Sequence, residues 1–178
     1  DPVRLICQEG RTERLLSELG MHRLDLVLAD APVPSTVSVR AYSHRLGATD
    51  VAFYAAGSLR ERFAGEFPAC LNGAPVLLPG ADAAISQRLR AWFERAGVRP
   101  VVVGEFDDSA LAQEFGKKGV GFFVGPAFLA PGITAQHGML AVGVAHGVRE
   151  EFYALSIERR ITHRCVVAIT EAARGMLA

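Results

Sequence analysis

A chain of 178 residues, half of them apolar and with 19 acidic against 19 basic side chains, is long enough for one domain or two small lobes. Its charge balance lacks the basic excess that a nucleic-acid surface needs. Adjacent Lys117 and Lys118 read as a solvated helix end. Cys7, Cys70 and Cys165 are widely spaced, without a C-x-x-C pair. They exclude a disulfide framework and read as buried thiols in a reducing cytoplasm. No basic stretch followed by an apolar run opens the chain, so no export signal is expected in it. The most apolar stretch, residues 120–133, is interrupted by glycine and proline and is too short to span a bilayer.

In chain order, Val3 to Gln8 reads as a strand, and Thr12 opens a helix with Leu15, Leu16 and Leu19 on one side, stopped by Gly20. The apolar run 24–29 reads as a strand covered on both faces. Strand, helix and strand in that order predict a parallel, right-handed βαβ unit. A proline-bearing loop (31–37) follows, then two extended runs, 39–45 and 50–55, separated by Gly47, and a short helical turn from Ser58.

A second α/β unit starts near Val76, where PVLLP reads as a strand. Asp82 is placed to cap the next helix, whose Ile85, Leu89, Trp92, Phe93 and Ala96 form one apolar face ended by Gly97. VVVGE is the next strand. Asp107 or Asp108 caps a helix carrying Leu111 and Phe115, with its stop at Gly116, and VGFFV closes a βαβαβ pattern. Extended runs over 140–145 and 150–158 and a final helix with Val166, Ile169, Ala173 and Met176 on one face complete the chain. This pattern predicts two lobes, residues 1–48 with 146–178 and residues 49–145, joined by two crossings. Two separate sheets would turn the carboxyl ends of their strands toward a shared cleft.

Motifs for chemistry are absent: no G-x-S-x-G, H-E-x-x-H, P-loop or G-x-G-x-x-G. His22, His44, His137, His146 and His163 have no metal-ligand spacing. The residues singled out are those that follow strands, where open parallel sheets bind ligands. They are Asp30, Pro32, Ser35 and Thr36; Gly80, Ala81 and Ser86; Asp107, Asp108 and Ser109; and Gly125 with Pro126. Three carboxylates within four positions, Glu105, Asp107 and Asp108, repel one another unless a cation or donor intervenes. The bland alternative is that Asp108 caps a helix while Glu105 or Asp107 faces solvent. Amides near Asp82 could instead hold an anion.

The segment 97–126, with GEFDD (104–108) and its following AL and FG, resembles the strand–helix–strand section of LysR-type effector domains. Residues 16–30 resemble that family's helix and LDLA strand, and residues 152–174 resemble its closing strand and helix. FPAC (67–70), LLPG (77–80) and LVLAD with PVPST are similar to a narrower branch, the sodium-responsive activators of a Na⁺/H⁺ antiporter gene.

The resemblance implies a two-lobed fold like that of type 2 periplasmic binding proteins, made of two Rossmann-like lobes. It implies a cytoplasmic, non-enzymatic regulator without a cofactor. A small molecule or ion is the expected effector, and for Na⁺ the oxygen ligands would be Asp30, Asp107 and Asp108. Partner expectations are a homodimer or homotetramer, no membrane, and DNA reached through an N-terminal winged helix-turn-helix outside these residues. The family's first strand and helix are expected ahead of Asp1. That leaves a gap, a direct pairing of the Val3 and Leu24 strands, or a partner segment between them. A transport-type solute-binding protein of the same fold is the alternative reading.

Overall fold

The structure, a computed structural model, describes residues 3–81 and 83–177. Its elements are α1 (Thr12–Gly20), β1 (Val27–Ala29), β2 (Tyr42–Ala56), α2 (Gly57–Arg62), β3 (Pro75–Pro79), α3 (Ala84–Ala96), β4 (Val101–Phe106), α4 (Ser109–Lys117), β5 (Phe122–Pro126), α5 (Ala130–His137), β6 (Met139–Ser156) and α6 (Arg164–Leu177). The chain divides into two compact units, Asp1–Ala48 with Glu151–Ala178, and Thr49–Glu150.

In the second unit, β3 pairs in parallel with β4 on one side and β5 on the other, and β5 pairs antiparallel with β2. The βαβαβ pattern therefore folds as expected, with β3 central and its Val76, Leu77 and Leu78 buried on both faces, as a covered parallel strand should be. On one side Ile85, Leu89, Trp92 and Phe93 of α3 pack against Phe53 of β2. The Phe53, Phe67, Trp92 and Phe93 rings lie 5.6–6.0 Å apart, within the range of favourable aromatic contacts. Gly97 closes α3 in the left-handed conformation (φ 66°), with its amide and that of Val98 bonded to Glu94 and Phe93 carbonyls. On the other side Ala112 of α4 packs with Tyr54, Phe123, Ile133 and Met139. Gly116 lies inside α4 rather than ending it, and the left-handed residue falls later, at Gly119. Leu111 and Phe115 face outward, as do Val101 and Val103 of the edge strand β4.

In the first unit, Leu15, Leu16 and Leu19 of α1 pack against Val27 of β1 and Leu155 of β6. Full burial of Leu16 and Leu19 contributes about 1.5–3 kcal/mol each relative to exposure. Three expectations are corrected here. Residues 3–11 form no strand, and Val3, Leu5 and Ile6 are about two-thirds exposed. No pairing with β1 forms, so there is no parallel βαβ: β1 pairs antiparallel with β6, Val27 opposite Leu155. Leu28 is exposed, so β1 is covered on one face rather than both. An apolar run becomes a strand only where neighbours complete its ladder, and none reaches residues 3–8. Of the three cysteines, expected as buried thiols, Cys70 alone is buried, while Cys7, in the unpaired segment, is exposed and Cys165, in α6, is half-exposed.

The extended runs 39–45 and 50–55 merge into the 15-residue β2, and 140–145 and 150–158 merge into the 18-residue β6, with Gly147 (φ 83°) inside it. Both strands run from one unit into the other. The six strands therefore form one hydrogen-bonded order, β1-β6-β2-β5-β3-β4, and not two separate sheets. Asp82, expected as the α3 cap, lies outside the described residues; the N-cap position, Ala83, has no side-chain bond.

Candidate functional site

The carboxyl ends of β3, β4 and β5 bring together three of the four predicted groups, all within the second unit. Their adjacency follows from the parallel register, which sets Pro79 opposite Phe106. The Gly80 amide continues that ladder by donating to the Phe106 carbonyl (2.9 Å), and Ala83 N–H turns back onto Gly80 O (2.9 Å). A side chain at Gly80 would collide with Asp107 Oδ1, so glycine here is what lets the carboxylate lie across the turn. Gly125 is buried opposite Ala52, and Tyr54 Oη donates to the Pro126 carbonyl (2.8 Å), which pins the end of β5. Burial pushes the Tyr54 phenol up to about 12, so it remains a donor at neutral pH.

The three neighbouring carboxylates take three separate roles. Glu105 forms an ion pair with Arg90 of α3. Asp108 caps α4, with Oδ1 accepting from Ala110 N (2.8 Å) and Leu111 N (3.2 Å). Asp107 is exposed and accepts no hydrogen bond from a described residue. Ser109, the first residue of α4, and Ala81 are exposed as well. Ser86 is fully buried in the first turn of α3, and its Oγ has no partner among the described residues. A buried hydroxyl without a partner costs stability, so it is a group left for something else to satisfy.

The Asp30–Thr36 loop belongs to the first unit. Asp30, Pro32, Ser35 and Thr36 are exposed. Val37 N–H closes a turn onto Pro34 O (3.1 Å) with Ser35 and Thr36 at its tip, and Ser43 Oγ accepts from Val33 N (2.9 Å). Among the described residues, no three His, Cys, Asp or Glu side chains are grouped so as to hold a metal ion. Asp30 belongs to the first unit, and Asp107 and Asp108 to the second.

One His–Ser pair invites a catalytic reading. His44 Nε2 lies 3.2 Å from Ser156 Oγ in the first unit. The Ser156 hydroxyl is buried and donates to Glu158 O at 2.8 Å. Its proton is committed there, so His44 Nε2 must be the donor, shared between Ser156 Oγ and Glu158 O. This is a structural brace and not a base poised on a nucleophile. Sequence reasoning missed Arg90 and Tyr54, which hold Glu105 and Pro126. Arg90 lies on the solvent-facing side of an amphipathic helix, and its partner is 15 residues away; Tyr54 reads simply as a strand aromatic.

An α/β domain whose parallel strands end in exposed polar loops is what this geometry defines. The model of the LysR substrate binding domain matches residues 2–178. The chain belongs to that family. It is 34% identical over 169 residues to the transcriptional activator protein NhaR of Escherichia coli K12, and equally to NhaR of Shigella flexneri. These matches cover 95% of this chain but 55% of each relative, so the chain spans about half the length of the curated relatives it matches. These relatives are transcriptional activators and not enzymes. Among solved structures, DarR of Vibrio fischeri in complex with DNA superposes with a TM-score of 0.68 at 16% identity, over 92% of this chain and 56% of that one. The regulatory domain of a HypT variant from Salmonella typhimurium gives 0.63 at 13% identity, over 94% and 81%. Among the described residues, no helix is long and apolar enough to cross a membrane.

Proposed function

We propose that this chain is the effector-sensing domain of a cytoplasmic LysR-type regulator. It binds a small molecule or ion and biases a DNA-binding domain carried elsewhere in the protein, which works as a homodimer or homotetramer. The observation that carries the reading is the strand-end cluster of the second unit: among the described residues, Asp107 lies against Gly80 without a hydrogen-bond partner, Ser86 Oγ is buried without one in the first turn of α3, and exposed Ser109 opens α4. The Asp30–Thr36 loop, exposed and hydroxyl-bearing, is the proposed second contributor. Unpaired carboxylate oxygens favour a donor-bearing ligand or a hard cation, and kinship with NhaR puts Na⁺ among the candidates. Solved relatives whose ligands are organic, QuiR with shikimate and CcmR with 2-PG, put small organic acids there too.

Coupling between occupancy and DNA binding can be no larger than the ligand's difference in affinity between the two states. The test is thermal unfolding against Na⁺, Li⁺, K⁺, shikimate and other small acids at constant ionic strength. A specific ligand at 100 times its dissociation constant adds about 2.7 kcal/mol. Asp107→Asn is expected to reduce that gain for a cation. Identical curves in Na⁺ and K⁺ would remove sodium from the reading, and no response to any member would remove the effector site itself.

A further inference from the structure

We infer that the first unit holds a second ligand pocket, separate from the strand-end loops, that accepts a small organic ammonium ion. A cavity of about 160 Å³ opens there, with His22, Asp25, Glu158 and His163 as its ionisable lining and Leu24, Ile157, Ile161 and Val166 as its apolar wall. Leu24 and Asp25 stand before the amino end of β1, whereas the Asp30–Thr36 loop leaves its carboxyl end. The pocket and that loop are therefore at opposite ends of β1.

The polar lining is rich in acceptors. Asp25 is exposed to the cavity and makes no hydrogen bond with a described residue. Glu158 Oε2 is taken by Thr162 N (3.0 Å) and Thr162 Oγ1 (3.1 Å), leaving Oε1. The Ser156 hydroxyl spends its proton on Glu158 O. The rings of His22 and His163 complete the polar lining. Arg159, Arg160 and Arg164 lie close in sequence but do not line the cavity.

These features select among ligands. An anion would face two carboxylates. A bare metal ion would leave the four apolar side chains without a partner, and no metal-binding group of three is present among the described residues. An ammonium head on Asp25 and Glu158 with a short hydrocarbon body on Leu24, Ile157, Ile161 and Val166 satisfies both halves. The volume suits it, since a cavity of roughly 150 Å³ admits benzene.

The probe is n-butylammonium chloride, titrated into the chain by calorimetry and by thermal unfolding, against potassium chloride and potassium butyrate at equal ionic strength. Saturable binding of butylammonium alone is expected. Asp25→Asn should weaken it about tenfold, the effect of one charged hydrogen-bond partner. Asp25→Lys, which supplies its own ammonium, should abolish it. Asp107→Asn should leave it unchanged. The inference fails if no saturable binding occurs, if Asp25→Asn binds like the parent, or if butyrate binds equally well. Loss in Asp107→Asn with retention in Asp25→Asn would move the ligand to the strand-end loops, overturning this pocket while sparing the effector reading.

Discussion

Replacing Gly116 by alanine should destabilise the second unit, although alanine is the better helix former. Gly116 is the penultimate residue of α4 and has an ordinary helical backbone. Propensity alone predicts a gain of up to about 1 kcal/mol. Against that, a Cβ built at Gly116 lies 2.7 Å from Phe123 Cβ and 3.6 Å from Met139 Sδ. Phe123 Cβ is fixed to the backbone of β5, which is paired on both sides, so it cannot rotate away as the tip of a flexible chain could. Overpacking of this kind costs about 1–3 kcal/mol. The net expectation is a loss of up to about 2 kcal/mol. Gly132, in α5, is the matched control: a Cβ there meets nothing within 4 Å, so Gly132→Ala should gain about 0.5–1 kcal/mol.

Urea titration read by the fluorescence of Trp92, the sole tryptophan, reports on this unit directly because Trp92 lies in its core. A change of about 1 kcal/mol moves the midpoint by roughly 0.3–1 M. Midpoints that move up in both variants would refute the close approach of α4 to β5. Midpoints that move in opposite directions establish it.

Three further outcomes follow from the strand-end geometry. Asp108→Ala removes the α4 cap and should cost about 1 kcal/mol by the same titration; a change near zero would mean that the carboxylate does not cap. Glu105→Gln should change stability by less than about 1 kcal/mol, because Glu105 and Arg90 are both partly exposed and their attraction is screened. The Tyr54 phenol loses its proton near 10 when unfolded but at about 12 when folded. Stability should be level below pH 10 and fall between 10 and 12 by up to about 1.4 kcal/mol per unit, as the unfolded chain sheds the proton first. Tyr54→Phe should flatten that limb while losing about 1 kcal/mol at neutral pH, and an unchanged alkaline limb would assign it to another group.

What was legible in the sequence is what local chemistry decides. The apolar face of α3, its glycine stop at Gly97 and the Asp108 cap of α4 each depend on residues within one or two turns, and all three are present. What was not legible depends on distant partners. Val3–Gln8 carries a strand's composition but finds no neighbour to pair with. Leu111 and Phe115 have helical spacing, yet the face that packs is that of Ala112 and Gly116, because the close approach to Phe123 admits only small residues. Met176 is likewise exposed although it shares a helical face with Val166, and Thr170 is buried in its place. Helix α5 begins inside the apolar stretch 120–133, whose glycines and prolines hide it from the sequence. Its local signals were Pro131 in the first turn and Gly138 in the left-handed conformation at its end.

The run Glu105-Phe106-Asp107-Asp108 shows how a site separates from a scaffold. As a sequence it is three like charges in four positions, and electrostatics alone cannot say which one is left over. Alternation along β4 and the turn into α4 decide it. Glu105 still belongs to the strand and reaches sideways to Arg90. Asp108 has left the strand and turns forward onto the amides of α4. Asp107 lies at the corner between them, over a glycine that offers no donor side chain. Two of the charges are thus consumed by folding, and the third stays available because no described residue at the corner donates to it. A carboxylate and, in the first turn of α3, a buried hydroxyl, both without a partner among the described residues, are the reason to look for a ligand at this end of the sheet. Asp107→Asn should therefore change ligand response with little effect on stability, whereas Asp108→Ala should change stability first.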